Sequence, residues 1–269
     1  MKYEMTSLEI HAAHTCNLNC YNCCHFSNHH VGGLVLIQEA SEWMISWKER
    51  LYPKIFTIIG GEPTLNPDLC KFVEISRKHW PDSRIHIATN GFFLHDHPTL
   101  PKVMNKIGNV SIVVNKVHDS PEYNEKYREI LQLCKLWKSQ WNVDIEYITT
   151  AYDRTKRYIG FGNSLSPIGN NDYNLSYKIC EAKDSRTLFD GYLYKCSRLA
   201  YIKLISRYFN LSDKWDTSLN YKPISPNCDD KTLINFLNDG ACTECGACTI
   251  QCELLVNLPN PLKRDIKII

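Results

Sequence analysis

Along residues 6–149 the apolar positions switch repeatedly between a period of two and a period near 3.6. Residues 6–12 (TSLEIHA) alternate and predict a strand. Residues 54–59 (KIFTII), 84–89 (RIHIAT), 110–114 (VSIVV) and 143–149 (VDIEYIT) predict four more. Between them, 37–51, 67–80, 100–107 and 121–139 read as helices, with Pro53 as the stop after the first and Asn66 as the N-cap of the second. Strands alternating with helices predict βα units on a parallel sheet, an α/β fold. Right-handed crossovers make that sheet open or part of a barrel, and functional side chains then belong at the C-terminal strand ends.

From about Tyr152 the rhythm breaks. Residues 160–172 hold Gly160, Gly162, Pro167, Gly169 and the Asn170-Asn171 pair, which predicts a loop or linker. Residues 187–196 (TLFDGYLYKC) predict a hairpin turning at Asp190-Gly191. Beyond it, regular structure looks thin and cysteines are dense, so this part is expected to rely on metal for stability.

Composition narrows the function classes. The chain has 269 residues, 43% hydrophobic and 22% charged, enough for a large core and one to two domains. Net charge is +2 with no basic block, so no nucleic-acid partner is expected. No run of about 18 apolar residues occurs, so no membrane span is expected. Met1-Lys2-Tyr3-Glu4-Met5 lacks an apolar signal core, which points to the cytoplasm. Thirteen cysteines then suggest metal or redox chemistry rather than disulfides.

The cysteines cluster at the two ends, which suggests two metal centres. Cys16, Cys20 and Cys23 follow the first strand with spacing C-x3-C-x2-C. Three close thiolates can hold three irons of a cubane and leave the fourth open to a chelating ligand. A zinc site is the alternative, with His25, His29 or His30 as fourth ligand. Gly60-Gly61-Glu62-Pro63 follows the second strand, and Thr89-Asn90-Gly91 the third. Asn115 ends the fourth. The glycines let backbone approach a ligand and Glu62 can accept from an ammonium group. Together these describe a pocket for a polar cofactor over a cluster.

At the other end, Cys242-x2-Cys245-x2-Cys248-x3-Cys252 matches the ferredoxin run except that Glu253 replaces the following proline. Half a zinc ribbon, completed by Cys180 and Cys196, is the alternative. Cys24, Cys70 and Cys134 read as packing residues, and Trp43, Trp47 and Trp137 as core. His11 and His14 read as structural hydrogen bonders.

The ordered set of Cys16-x3-Cys20-x2-Cys23, Gly60-Gly61-Glu62-Pro63 and Thr89-Asn90-Gly91 resembles the radical S-adenosylmethionine superfamily over roughly residues 5–150. That resemblance implies a partial (β/α)6 TIM-like barrel in residues 1–155. It implies a [4Fe–4S] cluster on Cys16, Cys20 and Cys23, with S-adenosyl-L-methionine on its open iron. Gly60, Gly61 and Glu62 would meet the methionine amino group, and Asn90 and Asn115 the adenosyl and ribose parts. Reductive cleavage would yield a 5′-deoxyadenosyl radical that abstracts a substrate hydrogen. The position before the third cysteine is often aromatic in the family; here it is Asn22, with Tyr21 one place earlier.

The hairpin pattern Gly191-x4-Cys196, preceded by Cys180 and followed by C-x2-C, resembles the superfamily's auxiliary-cluster extensions. It implies a small cysteine-rich domain over 156–269 of the twitch form, with one auxiliary [4Fe–4S] cluster on Cys180, Cys196, Cys242 and Cys245. A SPASM-like arrangement drawing on Cys228, Cys248 and Cys252, with a possible second auxiliary cluster, stays open. The expected activity is oxidation or epimerisation of a polyol, sugar or natural-product intermediate, fed by a flavodoxin- or ferredoxin-type electron donor. Maturation of a ribosomal peptide, or a non-catalytic zinc or Fe–S module, are the alternatives.

Overall fold

A computed structural model describes residues 2–150, 153–155, 157–254 and 258–262. The first half alternates as the pattern predicts: β1 (Tyr3–Ala13), α1 (Ile37–Trp47), β2 (Leu51–Gly60), α2 (Leu69–His79) and β3 (Arg84–Thr89). α3 (Leu100–Ile107), β4 (Val110–Lys116), α4 (Pro121–Trp141) and β5 (Asp144–Thr149) complete it. Three short strands follow: β6 (Asp153–Thr155), β7 (Tyr158–Ile159) and β8 (Ser166–Pro167). After α5 (Tyr173–Lys178) comes the hairpin β9 (Ser185–Phe189) and β10 (Tyr192–Tyr194), turning at Asp190-Gly191. α6 (Ser197–Ile205), α7 (Asp216–Leu219), α8 (Asp230–Asn238) and β11 (Cys252–Leu254) close the described chain.

The main sheet is open, with order β10-β9-β1-β2-β3-β4-β5. Six of its strands run parallel, as a partial (β/α)6 barrel requires. The sixth, β9, joins beside β1 rather than beside β5, and β10 pairs antiparallel at that edge. One in-register row crosses all six: Leu188, Ile10, Ile58, Ile87, Ile112 and Ile145. Each is buried, none above 4% exposed, so a one-residue slip of any strand would eject its member from the core. Trp80 stacks on Phe56 and donates from its indole to Leu51 O at 3.0 Å, closing the strand-start end of the core.

Two boundaries differ from the pattern. Helix α1 stops at Trp47, and Pro53 lies inside β2 opposite Met5. Pairing of β2 with β3 begins only at Ile55, so no β3 ladder bond is asked of the missing Pro53 N–H. Helix α2 begins at Leu69 with Asp68 at its N-cap position, and Asn66 is not its cap. Its amide instead donates to Ala12 O (2.7 Å) and Val35 O (2.9 Å) and accepts from Asp68 N (2.9 Å). Asn66 therefore ties β1 to the segment entering α1.

The cysteine-rich half holds more regular structure than its sequence suggests. Helix α6 is buried on nearly all sides, from Ser197 through Ile205 with only Lys203 half-exposed. It has no polar face, so no helical stripe shows in the sequence. Around it and its own Tyr201, Phe26, Tyr158, Phe189, Tyr194 and Trp215 build a second, aromatic core. Phe26 comes from the first cysteine loop, so that loop is rooted in the second half of the chain.

Candidate functional site

Strand β1 leads into the first cysteine loop, and β2 to β5 each deliver one polar segment to the same end of the sheet. Cys16, Cys20 and Cys23 line one cavity of about 270 Å³ there. Gly60, Gly61 and Glu62 line it after β2, Asn90 after β3 and Asn115 at the end of β4. Every first-site residue expected from the sequence meets in this one cavity.

The glycines have a local reason as well. A Cβ on Gly60 would fall 2.2 Å from Ala13 O, and one on Gly61 2.0 Å from Thr15 O. Gly60 also has φ +154°. The close approach is that of the chain's own backbone: Gly61 N donates to Ala13 O (2.7 Å) and Glu62 N to Thr15 O (3.0 Å). This clamps the end of β2 to the start of the cysteine loop.

Glu62 is buried and joins the motifs. One carboxylate oxygen accepts from Thr64 N (3.0 Å) and from the hydroxyls of Thr64 and Thr89. The other accepts from Asn90 N at 2.7 Å. Burial raises its pKa, and these four bonds pull it back. Asn90 passes the link on, donating to Asn17 Oδ1 at 2.7 Å, and its amide nitrogen is 4.0 Å from Cys16 Sγ. Asn115 accepts from the Thr150 hydroxyl at 3.2 Å.

Asn22, where the family pattern favours an aromatic, has φ +60°. Asparagine tolerates that left-handed backbone better than a bulky ring. Its amide bridges the two halves: it donates to Tyr158 O and accepts from Arg157 N, both at 2.8 Å. Tyr21 beside it is 38% exposed. The histidines are structural as read: His11 bonds His14 and His25 at 3.0 and 2.9 Å beneath the ring of Tyr201. On the other flank, Asn19 N donates to Pro261 O (2.7 Å) and Leu18 bridges Leu262. Neither Asn22's bridge nor this C-terminal brace carries a sequence signal, because both join positions far apart in the chain.

The second cysteine set meets at a separate cavity of about 30 Å³, lined by Cys180, Cys196, Cys245 and Cys248. Cys242 is not among its walls; its sulfur lies 3.6 Å from that of Cys245. Arg157, Lys183, Lys195 and Arg198 also line this cavity, and among the described residues no carboxylate does. Cys245 is lowered below an ordinary thiol, first by the Cys242 hydrogen bond and then by Lys195 and Arg198. Cys228 sits elsewhere, against Arg50, and exposed Cys252 in β11 pairs with Thr155 of β6. Cys134 is fully buried and Cys70 half-buried, as packing residues.

A family model described as the Radical SAM superfamily matches residues 10–154, over half of the chain. The chain belongs to the radical SAM superfamily. Over 102 residues it is 33% identical to a probable GTP 3′,8-cyclase of Thermoplasma volcanium, a match covering 38% of this chain and 30% of that relative's length. Among solved structures, BtrN in complex with AdoMet and 2-DOIA aligns over 81% of this chain and 87% of that one, at 16% identity and TM-score 0.48. SuiB of Streptococcus suis, bound to S-adenosylmethionine, aligns over 87% and 66%, at 14% identity and TM-score 0.40.

Radical SAM members are enzymes, and membership implies a [4Fe–4S] cluster and S-adenosylmethionine. The donor set fits both. Cys16, Cys20 and Cys23 crowd one cavity, and burial, with the charges of Cys20, Glu62 and Cys23, pushes the Cys16 thiol well up. Ionising three such thiols together is unfavourable until bound iron neutralises them. Among the described residues no three His, Cys, Asp or Glu side chains converge on a lone metal ion. The three thiols share their cavity with the Glu62 carboxylate and the Asn90 and Asn115 amides, and also with His25, Arg157 and apolar Leu18, Ile59, Val117 and Ile148, a mixed wall that suits a ligand with both charged and apolar parts. No helix among the described residues is long and apolar enough to cross a membrane.

Proposed function

We propose that this chain is a radical SAM enzyme that abstracts hydrogen from a small polar substrate (a polyol, sugar or natural-product intermediate) and so oxidises or epimerises it. One observation carries the reading: Cys16, Cys20 and Cys23 share a single cavity with Gly60, Gly61, Glu62, Asn90 and Asn115 at the C-terminal ends of parallel strands. When bound, the cluster supplies one electron to cleave S-adenosylmethionine, whose adenosyl fragment takes the substrate hydrogen. Cys16, Cys20 and Cys23 would hold it. The Gly60-Gly61 backbone and the Glu62 carboxylate would receive the methionine ammonium group, and Asn90 and Asn115 the hydroxyl and ring-nitrogen groups.

In this reading residues 1–155 supply the radical chemistry and 156–269 hold an auxiliary cluster. Cys180, Cys196 and Cys245 are ligands as the hairpin resemblance implies. The lining of the second cavity supports Cys248 as the fourth, with Cys242 behind Cys245. An auxiliary cluster on these thiolates would sit amid four cations, with no acid among the described residues of its cavity, and would supply an electron acceptor that suits net oxidation. A flavodoxin- or ferredoxin-type protein supplies the first electron, and the reducing cytoplasm keeps the thiols free.

Anaerobic reconstitution followed by iron, sulfide and 5′-deoxyadenosine analysis tests the proposal. About eight irons and eight sulfides per chain, for two [4Fe–4S] clusters, with reductant-dependent 5′-deoxyadenosine are expected. Zinc without sulfide at the first cysteines would overturn it.

A further inference from the structure

Among the described residues Arg157 alone lines both the main cavity and the second cysteine cavity. Its side chain is 6% exposed, so the charge stands in the wall between the two sites. Two kinds of contact hold it. Asn22 of the first cysteine loop accepts from the Arg157 backbone N–H at 2.8 Å. The guanidinium itself donates from Nη1 to Cys180 Sγ at 3.8 Å, and Nη2 lies 3.6 Å from Glu181 Oε2. Glu181 is 58% exposed, so solvent weakens that pair.

Two of the other cations of the second cavity also make hydrogen bonds outside it. Arg198 donates to Ser218 Oγ (2.9 Å) and Glu244 O (2.6 Å), anchoring α7 and the cysteine-bearing turn. Lys195 donates to the backbone and carboxylate oxygens of Asp239, both at 3.2 Å. Arg157 differs in that it donates directly to a sulfur of the second set, that of half-buried Cys180. A buried cation beside thiolate ligands stabilises the more negative, reduced state of the metal they hold.

We infer that Arg157 is a positioning residue of the second centre: from the wall between the two cavities it fixes Cys180 and sets the potential at which that centre accepts an electron. This rests on the proposed auxiliary cluster and adds what tunes it. The asparagine bridge ties the backbone of the same residue to the first loop, so the spacing of the two centres and the tuning of the second depend on one segment, residues 157–158.

The test is a redox titration of the anaerobically reconstituted full chain, followed by electron paramagnetic resonance. The signal that survives in a Cys16→Ala chain identifies the second centre. Arg157→Gln removes the charge and Arg157→Lys keeps it. The expected result is a midpoint potential shifted to more negative values in Arg157→Gln and largely restored in Arg157→Lys, with the first cluster moved less. An unchanged potential in Arg157→Gln overturns the inference. If Arg157→Gln loses the second cluster, Arg157→Lys decides: a retained cluster near the wild-type potential supports the charge role, and loss in both variants overturns it in favour of packing. A wild-type chain carrying one cluster's iron removes the second centre itself, which is failure of the functional reading rather than of the tuning.

Discussion

Glu62 accepts four hydrogen bonds in a buried setting and so joins the loops after β2 and β3 as well as facing the cavity. Glu62→Gln replaces one acceptor oxygen by an amide donor that meets a donor already there. Chemical denaturation of the apo chain should show a loss on the order of 1–3 kcal/mol. Production of 5′-deoxyadenosine should fall as well, and a variant with wild-type stability and activity would contradict this account. Cys242 and Cys248 separate the two ligand sets. Cys248→Ala should lose the second cluster's iron on reconstitution, while Cys242→Ala should keep most of it; iron analysis of the two variants decides. The chemistry-bearing residues were legible because thiols, paired glycines and a carboxylate at short spacings have few other uses together. Asn22 and Arg157 were not: they lie 135 positions apart, and the 23 residues from Arg157 to Cys180 follow no ligand spacing.

Elements follow the same logic. The five strands of the first half read correctly, β1 from alternation and β2 as a short buried-type run; β4 buries Val110–Val114 on both faces, so no period of two marks it. The ends were less legible. Pro53 reads as a helix stop, yet it sits in β2 where β3 has not begun. Asn66 reads as an N-cap, yet it pins β1 to the segment before α1. That use makes a prediction: Asn66→Ala strips bonds from two buried carbonyls and one N–H, and should cost on the order of 2–4 kcal/mol in urea or thermal unfolding. A change within a few tenths would mean water replaces the amide. Helix α6 escaped notice for the opposite reason, being buried on nearly all sides and therefore without an amphipathic stripe.

For the whole molecule, the two cysteine cavities make separable contributions. Cys16→Ala should abolish 5′-deoxyadenosine formation while leaving the second centre's iron. Cys245→Ala should spare that cleavage, lose about half the iron of a two-cluster chain, and stop substrate turnover. Full turnover in Cys245→Ala would remove the auxiliary role. The halves are not independent bodies in packing: β9 extends the sheet beside β1, Phe26 sits in the second core, and Leu262 bridges back to Leu18.

By itself the sequence determined the α/β pattern, the superfamily resemblance and the first site's donor set, because these rest on local period and short spacing. Tertiary structure alone decided which strand edge β9 takes, that Cys248 rather than Cys242 lines the second cavity, and that Arg157 stands between the two cavities. Those are outcomes of long-range packing, where residues far apart in the chain compete for one place and nothing in local spacing records which of them occupies it.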